Sequence, residues 1–261
     1  MSSSSDNPEP EEEQLAEGTL MSHLLELRSR LMKALLAVAA VFLVLAYWMN
    51  DVFELVSKPL RDALPEGSEM IVTDVAAPFL TPMKTAFFVS LFIAMPVVLF
   101  QIWQFIAPGL YKREKRLAIP LLLSSIALFY AGIAFAYLIV FKFMFGFFAR
   151  VVPGGVQMSP DISAYLTFVL GMFLTFGVTF EVPIATVLLI WSGIVSVKTL
   201  KHIRPYVFLG AFVAGMLLAP DVFSMTLMAI PIYLLYEGGL LLARVLVPEK
   251  MGVATAPAQK S

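Results

Sequence analysis

The chain has 261 residues, 59% of them hydrophobic, and a mean hydropathy of +0.86. Its 18 bases and 19 acids nearly cancel, it contains no cysteine, and its only histidines are His23 and His202. Disulfides and thiolate metal sites are excluded, an imidazole metal centre is disfavoured, and a chain this apolar is excluded from the water-soluble class.

Residues 1–20 hold six acids (Asp6, Glu9, Glu11, Glu12, Glu13, Glu17) and no base, with Ser and Pro between them. This head is expected to be a disordered, solvated tail. It has no basic region ahead of a short apolar core, so it is not read as a signal peptide. The rest of the chain keeps 18 bases against 13 acids, a net charge near +5.

Six apolar stretches follow, at 31–49, 84–106, 117–147, 162–192, 206–219 and 222–242. In lipid a backbone satisfies its own polar groups only as helices or closed barrels, and these runs lack the alternation of barrel strands. The expected fold is an all-α integral membrane protein of six transmembrane helices in a concave bundle. Residues 21–245 form that membrane domain, and 246–261 a second disordered tail, on the cytoplasmic side.

Basic residues cluster before the first stretch (Arg28, Arg30, Lys33), after the second (Lys112, Arg113, Lys115, Arg116), after the fourth (Lys198, Lys201, Arg204) and after the sixth (Arg244, Lys250, Lys260). With six crossings all of these share one side, which places both termini in the cytoplasm. The first outside segment, 50–83, carries Val52, Leu55, Val56, Leu60 and Leu64 at near-helical spacing, interrupted by Pro59 and Pro65. It reads as a broken amphipathic helix on the membrane surface. The second, 148–161, contains Pro153-Gly154-Gly155 and Ser159-Pro160-Asp161, which is turn chemistry.

The last two stretches are short. Only 14 residues separate Pro205 from Pro220, about 21 Å of helix against a hydrocarbon core of about 30 Å. The sixth reaches Glu237 after a similar length. A re-entrant hairpin, two short spans and helices extended past their prolines all fit; two short spans with local thinning are preferred.

Three acids stand out. Glu26 and Arg30 lie four residues apart before the first span, which suits a simple ion pair. Glu114 is the one acid among Lys112, Arg113, Lys115 and Arg116, ordinarily a solvated neutraliser. Together on one face they would instead hold guanidinium groups through charge-assisted bonds, with the nearby bases repelling nonspecific polycations. Glu181 lies near mid-membrane, where an ionisable group is functional by default, and Pro183 predicts a kink two residues on. Glu181 is expected to face the concavity, to be protonated at rest, or both. Asp221 reads as a helix N-cap, and Pro96, Pro120 and Pro231 as kinks or helix starts. Phosphate-loop, zinc-protease and serine-hydrolase motifs are absent. No cofactor and no catalysis are implied. A proton-coupled transporter of a small solute centred on Glu181 is the alternative; it should show internal repeats, and none is evident.

Seven strings occur in order: HLLELRSRL (23–31), SKPL (57–60), TDVAAPFLTPMK (73–84), QFIAPGLYKREKR (104–116), FEVP (180–183), RPYVFLGAF (204–212) and APDVFS (219–224). In these the chain resembles the TatC family, the multispanning subunits of the twin-arginine protein translocase, over roughly 20–245. The resemblance implies a receptor in the bacterial inner membrane that binds twin-arginine signal peptides at its cytoplasmic face. It also implies export of folded proteins by the protonmotive force with single-span TatA and TatB partners, and self-association. It assigns Glu26 and Glu114 to the signal-peptide site, with Arg28, Phe105 and Leu110 beside them. It assigns Pro59 to a sensitive outside cap, Glu181 to the concave face, and Met216 and Asp221 to the partner contact. Met225 and Ala219 depart from the glutamine and threonine of some members, which alters any polar partner contact there.

Overall fold

The structure, a computed structural model, describes residues 9–62, 70–106, 115–151, 159–191, 195–218 and 221–246. All described elements are helices, joined at one point by an isolated bridge between Ile71 and Asp161. Helix α1 runs Glu9–Tyr47 and includes 9–20 of the head expected to be disordered; Gln14, Leu15, Ala16 and Glu17 are strong helix formers. Helix α2, Met49–Asp62, is amphipathic as expected, but it continues through Pro59 instead of breaking there. It packs on α3, Ala77–Ile106, which also lies along α1. The α3 start is built locally: Asp74 Oδ1 accepts the Ala76 N–H at 2.9 Å, and Pro78 sits in the first turn, where no donor is needed.

Helix α4 (Lys115–Phe135) continues through a π-helical segment, Ala136–Val140, into α5 (Phe141–Val151). Helix α6 (Ile162–Thr179) breaks at Phe180–Glu181 and resumes as α7 (Val182–Trp191). Pro183 is the second residue of α7, so its missing N–H and ring end the preceding helix as expected. A short α8 (Val197–His202), capped by Ser196, leads to α9 (Arg204–Leu218) and α10 (Val222–Leu246).

Five helical segments are long and apolar enough to cross a membrane: 24–47, 77–105, 119–148, 162–191 and 222–245. Helix α9 has 15 residues, the short fifth element that its flanking prolines predict. Its end is visibly early: Leu218 packs against Gly171, nine residues into α6 and so about 14 Å from that helix's start.

The sixth helix departs from the expectation of a short span. It has 25 residues, because it does not stop at Glu237. Arg204 and Tyr233 bond that carboxylate, and Leu240 and Ala243 beyond it are buried beside Leu200 and Ile190. A neutralised acid does not end an apolar run.

Close helix approach depends on small residues, as it must where lipid competes equally for apolar surface. Gly132 of α4 lies on the Phe176 backbone of α6, Gly177 on the Phe129 ring, Gly215 of α9 on Met225 of α10, and Gly239 of α10 on Pro183. The central core gathers Phe176, Met172, Val169, Met144 and Met228, all fully buried, around α5, α6 and α10.

Candidate functional site

At the end of the bundle carrying Arg28, Arg30 and Lys33, α1 and the C-terminal turn of α3 meet side by side. Arg30 donates through Nε (2.9 Å) and Nη2 (2.5 Å) to one oxygen of Glu26, Oε1. Its Nη1 donates to Gln104 Oε1 at 2.5 Å. The guanidinium thus joins α1 to α3 one residue from Phe105, which is half-buried. Glu26 keeps 34% of its side chain exposed, and Oε2 has no partner among the described residues. The i,i+4 spacing explains the ion pair; the sequence gives no local signal for Gln104. Arg28 is exposed on the same helix. Leu110 and Glu114 lie outside the described residues, so the expected pairing of Glu26 with Glu114 is not described.

Glu181 occupies the break between α6 and α7. One carboxylate oxygen accepts from the Ser125 hydroxyl of α4, and the other, Oε1, is buried without a hydrogen-bond partner among the described residues. Ser125 is the partner that sequence reasoning could not name, because 56 residues separate the two. Beside this pair an apolar groove of ≈ 680 Å³ runs between α4, α7 and α10, lined by Ser124, Leu128, Phe180, Pro183, Leu234 and Gly238 among others. Phe180 and Pro183 line the groove; Glu181 is not among its lining residues.

At the opposite end the segments that precede α3 and α6 are sewn together. Ile71 N–H donates to Pro160 O (3.1 Å) and Ile162 N–H to Ile71 O (3.0 Å). Asp161 caps α6 through Ala164 N–H (2.8 Å) and takes both the Thr73 N–H (2.9 Å) and hydroxyl (2.7 Å) on its other oxygen. The Ala164 amide, then the Thr73 hydroxyl and amide, hold this carboxyl down at about 2. The Ser-Pro-Asp string ahead of an apolar run signals the cap; the Thr73 contact has no local signal. Pro59 lies within α2, near this end.

Asp221 caps α10 as expected, accepting the Ser224 N–H at 2.8 Å. Met216 is exposed on α9, and Met225 is half-buried where Gly215 crosses it. Ala219 is outside the described residues. Arg204 and Glu237 form an ion pair between α9 and α10 (2.5 Å), completed by Tyr233 O–H to Glu237 Oε1 at 3.1 Å. Sequence reasoning missed it, although a glutamate with a tyrosine four residues earlier inside an apolar run was a usable signal.

Similarity agrees with the geometry. The family model described as "Sec-independent protein translocase protein (TatC)" matches residues 22–231. The chain is 57% identical over 242 residues to the Sec-independent protein translocase protein TatC of Azotobacter chroococcum mcd 1, covering 92% of this chain and 95% of that one. It is 57% identical over 226 residues to the TatC protein of Escherichia coli strain K12, covering 86% and 88%. A crystal structure of the twin arginine translocase receptor TatC superposes with a TM-score of 0.78 at 37% identity, over 85% of this chain and 98% of that one. The chain is a membrane protein that belongs to the TatC family of Sec-independent protein translocase proteins.

Proposed function

We propose that the protein is the signal-peptide receptor and core of a twin-arginine translocase in the bacterial inner membrane. It crosses the bilayer six times, and the end bearing Glu26 faces the cytoplasm with both termini. Glu26 and Glu114 hold the two guanidinium groups of the signal, with Arg28, Phe105 and Leu110 around them. The signal's apolar stretch lies along the concave face, where Glu181 supplies a polar step. Met216, Asp221 and Met225 lie where single-span TatA and TatB proteins approach, Pro59 belongs to the outside cap, and several copies assemble. Folded cargo is exported at the expense of the protonmotive force.

One observation carries this reading: the Glu26 carboxylate already accepts a guanidinium, that of Arg30, through one oxygen only, on a side chain that keeps 34% of its surface exposed. A forked guanidinium is the cation this geometry suits.

The test is photocrosslinking of a twin-arginine signal peptide to the protein in native membranes, with Glu26→Gln, Glu114→Gln and a twin-lysine peptide compared. Each charge-assisted contact contributes about 1.5–3 kcal/mol, so either substitution should weaken capture about tenfold to a hundredfold. Undiminished crosslinking in both variants, with the protein inserted normally, removes the site assignment.

A further inference from the structure

We propose that Arg30, held in place by Gln104, is an internal guanidinium that makes the Glu26 site select guanidinium over ammonium. The proposal rests on the receptor reading above and adds a specificity-determining residue and a positioning residue to it.

Both Arg30 contacts fall on the same carboxylate oxygen, Oε1, through Nε and Nη2. A guanidinium free to choose would take both oxygens as a fork. It is turned from that arrangement by its third bond, from Nη1 to Gln104 Oε1 on the neighbouring helix. Gln104 therefore fixes the guanidinium plane, and the plane fixes which oxygen of Glu26 remains open. The open oxygen, Oε2, belongs to a side chain that is 34% exposed, while Arg30 is 20% exposed and so is held partly out of water.

An arriving cation meets half of a carboxylate with a fixed positive charge beside it. A lysine ammonium is compact and strongly hydrated; it loses water to approach one oxygen and faces the Arg30 charge at close range. An arginine guanidinium is weakly hydrated and planar. It can bond Oε2 with one edge, and because its charge is delocalised and weakly hydrated it loses less than an ammonium beside the Arg30 charge. The internal arginine lowers affinity for every cation but lowers it most for the ammonium. Specificity here comes from an unfavourable neighbour as much as from an attractive one.

The ion pair alone would stabilise the helix whether or not a ligand binds, and it makes no prediction about ligand chemistry. The experiment therefore reads a selectivity ratio. Twin-arginine and twin-lysine peptides of otherwise identical sequence, each with one photoreactive residue, are crosslinked in native membranes to wild type, Arg30→Gln, Arg30→Lys, Gln104→Leu and Glu26→Gln. Arg30→Gln should cut the arginine-to-lysine ratio about tenfold, the scale of one charge-assisted contact, while total capture is kept or raised. Gln104→Leu should cut the ratio several-fold with Arg30 still present. Arg30→Lys, which keeps the charge without the plane, should not restore it.

A ratio unchanged in Arg30→Gln and Gln104→Leu, while Glu26→Gln abolishes capture, overturns the proposal and leaves the receptor reading intact. Loss of capture in both variants with the ratio preserved among the residual crosslinks assigns Arg30 a structural role and also overturns it. If Glu26→Gln binds like wild type, the receptor assignment fails and the proposal fails with it.

Discussion

Replacing Gly132 by alanine places a methyl carbon 2.4 Å from the Phe176 carbonyl oxygen, 2.8 Å from its carbonyl carbon and 3.0 Å from the Gly177 Cα. All three are backbone atoms, so no rotamer change relieves the overlap. Ordinary contact begins near 3.4 Å, and α4 and α6 must therefore part by about 1 Å at this level, where close-packed interiors resist expansion. Overpacking of this kind costs about 1–3 kcal/mol. The separation also thins the contacts of Phe129 with Gly177 and of Phe135 with Phe176, whose rings lie 5.5 Å apart. Ser125 sits two turns away on the same helix, so its bond to Glu181 is strained by the same movement. The assay is unfolding of the purified protein in one detergent, by titration with a denaturing detergent and by heating at a fixed scan rate. Gly146→Ala is the control, because nothing lies within 4 Å of the added carbon and surface changes stay within about 0.5 kcal/mol. Equal stability of the two variants would refute the claim that backbone contact at Gly132 sets the α4–α6 distance.

Asp161 joins the segments that precede α3 and α6 only as a carboxylate on the Thr73 side. Its pKa is lowered from the ordinary 3.8 to about 2, so its contribution is complete above 3.8 and disappears as pH falls through 2. Protection from hydrogen exchange at Ile71, Thr73 and Ala164, taken relative to the intrinsic rate at each pH, should be high at pH 5 and fall between those two values, and Asp161→Asn should flatten that dependence; a fall that survives in the variant contradicts the assignment. Glu237→Leu leaves the Arg204 guanidinium without its carboxylate and should lower stability by about 1–2 kcal/mol, after allowance for partial exposure. Adding Arg204→Leu should recover most of that loss in the same detergent titration; an additive double variant would show that the pair does not couple α9 to α10.

Most of what lies within a few residues along the chain was legible in advance. The apolar runs gave the long apolar helices, Pro183 the break after Phe180, Val52, Leu55 and Val56 the amphipathic α2, and Asp221 the α10 cap. Helix α9 is short because Pro205 and Pro220 bracket it in the sequence. What distance along the chain conceals was not legible: Ser125 for Glu181, Gln104 for Arg30, Thr73 for Asp161 and Arg204 for Glu237. The misjudged length of the sixth helix has the same origin. Glu237 looks like the end of an apolar run only while its partner, 33 residues earlier, is unknown. A composition window weighs each side chain as if it stood alone, and in lipid polar side chains do not stand alone.

Those partners also separate the acids by what they have left to give. Glu237 is fully engaged, with Arg204 on one oxygen and Tyr233 on the other, and a carboxylate with both oxygens occupied is a fastener between two helices. Glu181 is engaged on one side by a neutral hydroxyl, and its second oxygen is buried with no hydrogen-bond partner among the described residues. Such a group carries an unmet demand that the fold alone does not discharge. Glu26 is engaged on one oxygen by a cation, its other oxygen has no partner among the described residues, and a third of the side chain is exposed. The same side chain thus serves three ends according to how completely its neighbours satisfy it. A ligand that must arrive and leave is best met at Glu26, where the resting partner has already set the plane and the charge against which a newcomer is compared.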